Sequence, residues 1–191
     1  MINKDTANFW NRGYVQGQDY RQLADKELDN ILKNISNKET ALDMGCGTGH
    51  LARQLARRSL AVTGVDISDE AIKLAKQQDQ TGVIYRRMNI ENEDLRELGK
   101  FDVVFCKLVI AFLKDKTKFI SEIPQLLTPH GAFILITPVV DDPQNANAHI
   151  SAISVNEDEL KRTVKANFRK IESIKKKLSP AHSWLTLIAS P

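Results

Sequence analysis

Cysteine is scarce in this chain, with two in 191 residues. Neither Cys46 nor Cys106 belongs to a Cys-x-x-Cys pair or a metal-ligand spacing, and the four histidines are scattered. That pattern speaks against a disulfide framework and against a structural zinc site, so no metal is expected and both thiols should be reduced. Long apolar runs are also missing. None approaches the ~20 residues that a transmembrane helix needs. The opening Met1-Ile2-Asn3-Lys4-Asp5 is polar and lacks the apolar core of a signal peptide. A cytoplasmic chain without membrane attachment is the expectation. Repeats, low-complexity tracts and composition breaks are absent too, which predicts one domain over residues 1–191.

What remains is ordinary globular material, 42% apolar and 27% charged. The net charge of +3 is uneven: residues 156–191 hold eight basic and four acidic side chains, and the remainder has 19 basic against 20 acidic. The C-terminal charges alternate with Leu160, Val164, Phe168, Ile171, Ile174 and Leu178, as on the solvent faces of a helix and a strand. A solvated surface is therefore favoured over an anion-binding one.

Apolar spacing from Asp19 to Ile35 predicts a helix. Short strands follow at Thr40–Met44, Leu60–Val65 and Val83–Tyr85, with helices from Leu51 to Arg58 and after the N-cap candidate Ser68. Phe101–Cys106 reads as a fourth strand, Lys116–Leu127 as a helix, Pro129-His130-Gly131 as a turn and Ala132–Ile136 as a fifth strand. Asn156 caps a helix to about Asn167, and Lys170–Lys177 and Trp184–Ala189 are two last strands. Alternating strands and helices predict a parallel sheet covered on both faces. The short link between the last two strands allows only a hairpin. The expected fold is α/β: a Rossmann-like, doubly wound, seven-stranded sheet, mostly parallel with an antiparallel C-terminal strand pair.

The chemistry is concentrated in Asp43-Met44-Gly45-Cys46-Gly47-Thr48-Gly49-His50. A strand must turn sharply into a helix there, and glycine permits both positive φ and close approach of a ligand to bare backbone. That places a ligand at the carboxyl end of a strand, the usual crevice of an open α/β sheet. Asp66 ends the next strand, 19 residues after Gly47, where an acidic side chain can accept hydrogen bonds from both ribose hydroxyls of a nucleoside cofactor. The glycines run G-x-G-x-G, with His50 where the dinucleotide fingerprint has its third glycine. Asp43 is awkward beside a pyrophosphate but suits an ammonium and a sulfonium. S-adenosylmethionine is favoured over a nicotinamide cofactor.

Asp43 to Gly49 resembles motif I of the class I S-adenosylmethionine-dependent methyltransferases. Val62 to Ser68 resembles their second motif, and Phe101–Phe105 and Leu126–Phe133 resemble the fourth- and fifth-strand motifs. The likeness covers roughly residues 39–138. It implies that Gly45, Cys46, Gly47, Thr48 and Gly49 pass beneath the methionine part of the cofactor, with Asp43 placing its amino group. It further implies that Asp66 holds the ribose, Ile67 packs on the adenine, and Asn89 and Ile90 meet the adenine edge. Many relatives have Asp where this chain has Asn89, whose carbonyl serves the same purpose. Cys106 and Lys107 would lie by the methionine moiety through backbone atoms. The stretch Phe9 to Tyr14, within an N-terminal cap of residues 1–38, is too aromatic for a free tail; it either folds over the cleft as a lid, as in many relatives, or docks on the sheet edge. Residues 139–191 would supply the substrate-side loop and the last strands.

The sulfonium is an activated methyl donor, so the protein must mainly align an acceptor in line and exclude water. A neutral oxygen or nitrogen also needs a base. His149, in the loop after strand five, is the candidate catalytic residue; Asp141 and Asp142 are weaker ones, and His182 is expected away from the site. No Asn-Pro-Pro-Tyr or Asp-Pro-Pro-Tyr follows strand four, which disfavours amino-methylation of adenine or glutamine. The expected substrate is a small molecule methylated on O, N or S, by a monomer or weak homodimer. The alternatives are a methyltransferase acting on RNA or protein, supported only by Lys175-Lys176-Lys177, and a non-catalytic cofactor-binding regulator. An NAD-dependent dehydrogenase ranks below these.

Overall fold

The computed structural model describes residues 7–18, 21–33, 35 and 38–191. Seven strands form one sheet: β1 (Thr40–Met44), β2 (Ala61–Asp66), β3 (Ile84–Arg87), β4 (Phe101–Lys107), β5 (Leu127–Val140), β6 (Lys170–Ser179) and β7 (His182–Ser190). Their order is β3-β2-β1-β4-β5-β7-β6, with β1–β5 parallel to one another and β7 antiparallel to both neighbours. The fold class expected from the sequence is the one observed.

Among the described residues seven α-helices accompany the sheet: α1 (Ala7–Val15), α2 (Asp25–Leu32), α3 (His50–Ala56), α4 (Asp69–Gln78), α5 (Lys116–Glu122), α6 (Ala148–Ala152) and α7 (Glu157–Asn167). Successive side chains of a strand point to opposite faces. Leu42 and Met44 therefore enter one core with Phe133, Ile120 and Leu160, while Ala41 enters another with Phe105, Leu28 and Leu55. Both faces are buried, as near-continuous apolar strands require. The lower ends of three strands are joined by Asp102, whose carboxylate accepts the Glu39 and Thr40 N–H groups at 2.9 and 3.0 Å and the Thr128 hydroxyl at 2.8 Å. Those bonds hold the Asp102 carboxyl below the usual carboxylate range, against the opposing effect of partial burial.

Several boundaries differ from the sequence reading. The expected helix from Asp19 to Ile35 begins only at Asp25; Asp19 lies outside the described residues, and residues 21–24 form a connector over the strand tips. The helix expected to run from Lys116 to Leu127 changes to a tighter 3-10 turn at Ile123–Leu126, because Pro124 cannot donate to the α ladder. Pro129-His130-Gly131 is not a turn before β5 but a bulge within it: Leu127 pairs with Phe101, Ala132 with Val103, and the residues between leave the register. β5 also runs past the expected Ile136 to Val140, and Pro138 sits opposite Trp184 inside the ladder. His149 lies on the short helix α6 rather than in an irregular loop.

Candidate active site

The strand order reverses between β1 and β4, so helices leave the two strands toward opposite faces and a crevice opens at their carboxyl ends. The chain leaves β1 through Gly45 and Gly47, at φ +70° and +54°, and enters α3 from Gly49 at +80°. Space enforces glycine here as firmly as torsion does. A Cβ at Gly45 would lie 2.2 Å from the Val109 side chain, and one at Gly47 would lie 2.8 Å from the Tyr14 hydroxyl. The Val65 carbonyl accepts the Gly45 and Cys46 N–H groups at 2.7 and 3.0 Å, which fastens the loop to the adjacent end of β2.

Asp66 continues that junction. Its Oδ2 accepts the Gly47 N–H and its Oδ1 the Ser68 N–H, each at 2.9 Å. Burial raises its pKa, and these backbone donors work against the rise. Across the loop, Asp43 is 1% exposed, and its Oδ2 has no hydrogen-bond partner among the described residues. Loss of solvation pushes its carboxyl up to about 7, opposed by the positive charge of Lys107 and reinforced by Asp66. A buried, unpartnered carboxylate oxygen is costly unless something cationic meets it.

Both carboxylates line one cavity of about 750 Å³. The two strand tips meet across an open cleft rather than one filled by side chains. Of the residues singled out from the sequence, Asp43, Gly45, Cys46, Gly47, Thr48, Asp66, Ile67, Asn89, Ile90, Lys107 and His149 line it. Gly49 and Cys106 do not. Gly49 sits beneath, where a Cβ would meet the Tyr85 hydroxyl at 2.3 Å, and Cys106 is fully buried in the core. Burial raises the Cys46 thiol and takes that of Cys106 up to about 12, so neither is a thiolate nucleophile. Lys107 contributes through its side chain rather than its backbone alone: its Nζ donates to the Arg21 carbonyl at 2.9 Å while its charge bears on Asp43. The Asn89 carbonyl oxygen already accepts the Glu91 N–H at 3.1 Å, which leaves it one further lone pair for a ligand.

Two features of the cavity escaped the sequence reading, and a third, the place of the N-terminal aromatics, was one of two alternatives it left open. His50 lines it from the first turn of α3; it had registered only as a departure from a glycine pattern. Leu108 adopts φ +63° at the tip of β4, bending the chain so that Val109 lies over Gly45. That conformation costs a non-glycine residue about 1–2 kcal/mol. Helix α1 brings Phe9, Trp10 and Tyr14 onto the cavity wall, with the Trp10 ring edge-on to Phe112 at 4.7 Å. Elsewhere two lysines of the basic run are in ion pairs: Lys175 bridges Asp141 and Glu157 at 2.7 and 2.6 Å, and Lys177 meets Asp141 at 2.7 Å. Asp141 and Asp142 are absent from the cavity wall. His182 is buried away from it, its ring nitrogens near the Ser151 and Ser179 hydroxyls at 3.5 and 3.1 Å.

The methyltransferase-domain family matches residues 35–186, most of the chain. The chain belongs to that family. The assignment made from the four motifs, a class I S-adenosylmethionine-dependent methyltransferase, agrees with it. This methyltransferase domain is 33% identical over 107 residues to the ubiquinone biosynthesis O-methyltransferase of Nitrosomonas europaea, covering 54% of this chain and 45% of that protein. It is 33% identical over 102 residues to the protein of that name from Pseudomonas paraeruginosa, covering 52% and 44%. The chain thus spans about half the length of the curated relatives it matches. Among solved structures, the N-terminal domain of EvdMO1 with S-adenosylhomocysteine bound superposes with a TM-score of 0.73 at 14% identity, over 94% of this chain and 84% of that one. Phosphoethanolamine N-methyltransferase 2 of Haemonchus contortus gives 0.70 at 22%, over 84% and 51%. A TehB-like S-adenosylmethionine-dependent methyltransferase from Corynebacterium glutamicum gives 0.66 at 16%, over 97% and 96%. At these identities the likeness is one of fold. Among the described residues no helix is long and apolar enough to cross a membrane, and no cluster of side chains is suited to a metal.

Proposed function

We propose that the chain is an S-adenosylmethionine-dependent methyltransferase that moves a methyl group from the sulfonium to an oxygen, nitrogen or sulfur atom of a small molecule. The observation that carries this reading is Asp43: a buried carboxylate oxygen without a partner among the described residues, on the wall of a cavity that also presents bare glycine backbone and Asp66. A cationic amino acid joined to a nucleoside fits that donor set. Asp43 takes the ammonium, Gly45 and Gly47 let the methionine part lie on the main chain, and Asp66 takes the ribose hydroxyls. Ile67 and Ile90 offer apolar contact to the base, and Asn89 a polar edge. When bound, the cofactor supplies an already activated methyl group.

The chain's own task is alignment and exclusion of water. Orientation of that kind lowers a barrier by roughly 7–11 kcal/mol. Phe9, Trp10, Val109 and Phe112 make the acceptor side of the cavity largely apolar. Where an acceptor must lose a proton, His149 and His50 are the imidazoles on the wall. The names of the curated relatives make oxygen the first acceptor atom to try. The pairing of Lys175 and Lys177 with carboxylates weakens the one support of the RNA reading, the lysine run, of which Lys176 stays exposed.

Calorimetric titration with S-adenosylhomocysteine and with NAD tests the assignment. Tighter binding of NAD refutes it. Methyl transfer from labelled cofactor to a panel of phenols, amines and thiols then identifies the acceptor atom, and a turnover-free protein that still binds the cofactor supports the regulatory alternative.

A further inference from the structure

Asn11, on α1, reaches across to the start of α4. Its Oδ1 accepts the Ser68 hydroxyl at 2.6 Å and the Glu70 backbone N–H at 3.3 Å. Ser68 is itself the N-cap of α4, and its Oγ accepts the Ala71 N–H at 3.1 Å. The first N–H groups of a helix have no partner within it. Here two of them are served separately, one by the helix's own cap and one by a side chain from a different helix.

The same turn presents Asp66. The Ser68 N–H donates to Asp66 Oδ1, and the Gly47 N–H donates to Asp66 Oδ2. A continuous path of hydrogen bonds therefore runs from the glycine loop through Asp66 and Ser68 to Asn11. Beyond Asn11, α1 carries Trp10 against Phe112 and Tyr14 against Gly47. The helix that walls the cavity and the carboxylate proposed to take the ribose thus share one anchor.

We infer that Asn11 is a positioning residue for the nucleoside cofactor: it fastens α1 over the cleft through the turn that presents Asp66, so that cofactor binding and seating of α1 reinforce each other. The inference rests on the cofactor reading above. Such coupling is reciprocal: whatever the seated helix adds to cofactor affinity, the cofactor adds to the seating of the helix. An unseated α1 would also remove the aromatic wall that keeps water from the donor.

Two variants of the full chain test this. Asn11→Ala removes the acceptor. Asn11→Asp keeps it and places a negative charge at the positive end of α4. Ser68 still caps α4 in both, so the domain keeps its fold. Limited trypsin digestion read at Arg12, an exposed residue of α1, reports seating; calorimetry reports the affinity for S-adenosylhomocysteine. In Asn11→Ala, cleavage at Arg12 without ligand should rise several-fold, and S-adenosylhomocysteine should slow it much less than in the parent. Affinity should fall about tenfold, the scale of a lost cap. Asn11→Asp should restore both. A lower Tm in Asn11→Ala with unchanged affinity and unchanged protection of Arg12 overturns the inference, as does failure of Asn11→Asp to rescue. A parent chain that binds no S-adenosylhomocysteine, although Asn11→Ala still loosens α1, overturns the cofactor reading and the coupling with it while α1 docking stands.

Discussion

Acidification should weaken cofactor binding through Asp43 before it touches the fold. The carboxyl is held up at about 7 by burial, and Lys107 offsets only part of that effect. An ammonium ligand needs the ionised form. For a group titrating near 7, about half is ionised at pH 7 and about 1% at pH 5, so affinity should fall about fiftyfold between them, or ~2.3 kcal/mol. The ligand's own ammonium keeps its proton over this range. Calorimetry with S-adenosylhomocysteine at half-unit pH steps measures the slope. The decisive comparison is with Asp43→Asn. That variant should bind weakly at pH 7 and lose most of the slope. The reasoning is refuted if the parent's affinity is flat from pH 7 to 5, or if Asp43→Asn titrates with the same steepness. The linkage also has a stability arm. A carboxyl raised on folding keeps a proton that the unfolded chain has lost above about pH 4, so ligand-free stability declines as pH rises from about 4 through 7. Asp43→Asn should accordingly raise the ligand-free Tm at pH 8, by roughly 2–4 °C per kcal/mol gained.

Other expectations can be checked with the same preparations. Asp66→Ala removes the acceptor for two backbone N–H groups as well as the proposed ribose contact; S-adenosylhomocysteine affinity should fall by at least about tenfold, with a measurable drop in Tm from the stranded donors. Gly47→Ala must displace Tyr14 and adopt a strained φ, so calorimetry should show binding largely lost while circular dichroism keeps the α/β signature. Asp141→Ala leaves Lys175, Lys177 and Ser183 without their shared carboxylate; Tm should fall and cofactor affinity stay unchanged. The Asp141 carboxyl is held well below the ordinary range by those partners, so its contribution is present above about pH 4 and fades as pH falls through that value and below.

The crevice was legible in the sequence because its signals are local and chemically restrictive. A G-x-G-x-G turn and an acidic residue 19 positions on leave few arrangements, and Asp66 accepting from Gly47 is the contact that such spacing allows. The hairpin of β6 and β7 was legible for a similar reason: a link that short cannot cross over. What escaped depends on partners distant along the chain. His50 reads as an ordinary helix residue until the cavity is assembled around it. Pro129-His130-Gly131 has turn chemistry, yet β4 continues alongside and absorbs the irregularity as a bulge. The connector at residues 21–24 has helical spacing but is drawn over the strand tips, where the Arg21 carbonyl meets Lys107 and the Arg21 guanidinium lies 4.6 Å from the Trp184 ring. Local periodicity cannot register such competition.

The ring of Tyr85 touches two glycines from different elements. A Cβ at Gly64, in the middle of β2, would fall 3.0 Å from its Cδ1, and one at Gly49 would fall 2.3 Å from its hydroxyl. One aromatic side chain thus occupies the volume that two missing methyl groups vacate, directly under the loop. Positions 64 and 85 are therefore not free to drift independently. A homologue with alanine at 64 should carry a smaller residue at 85, whereas position 49, held at φ +80°, should stay glycine whatever stands at 85.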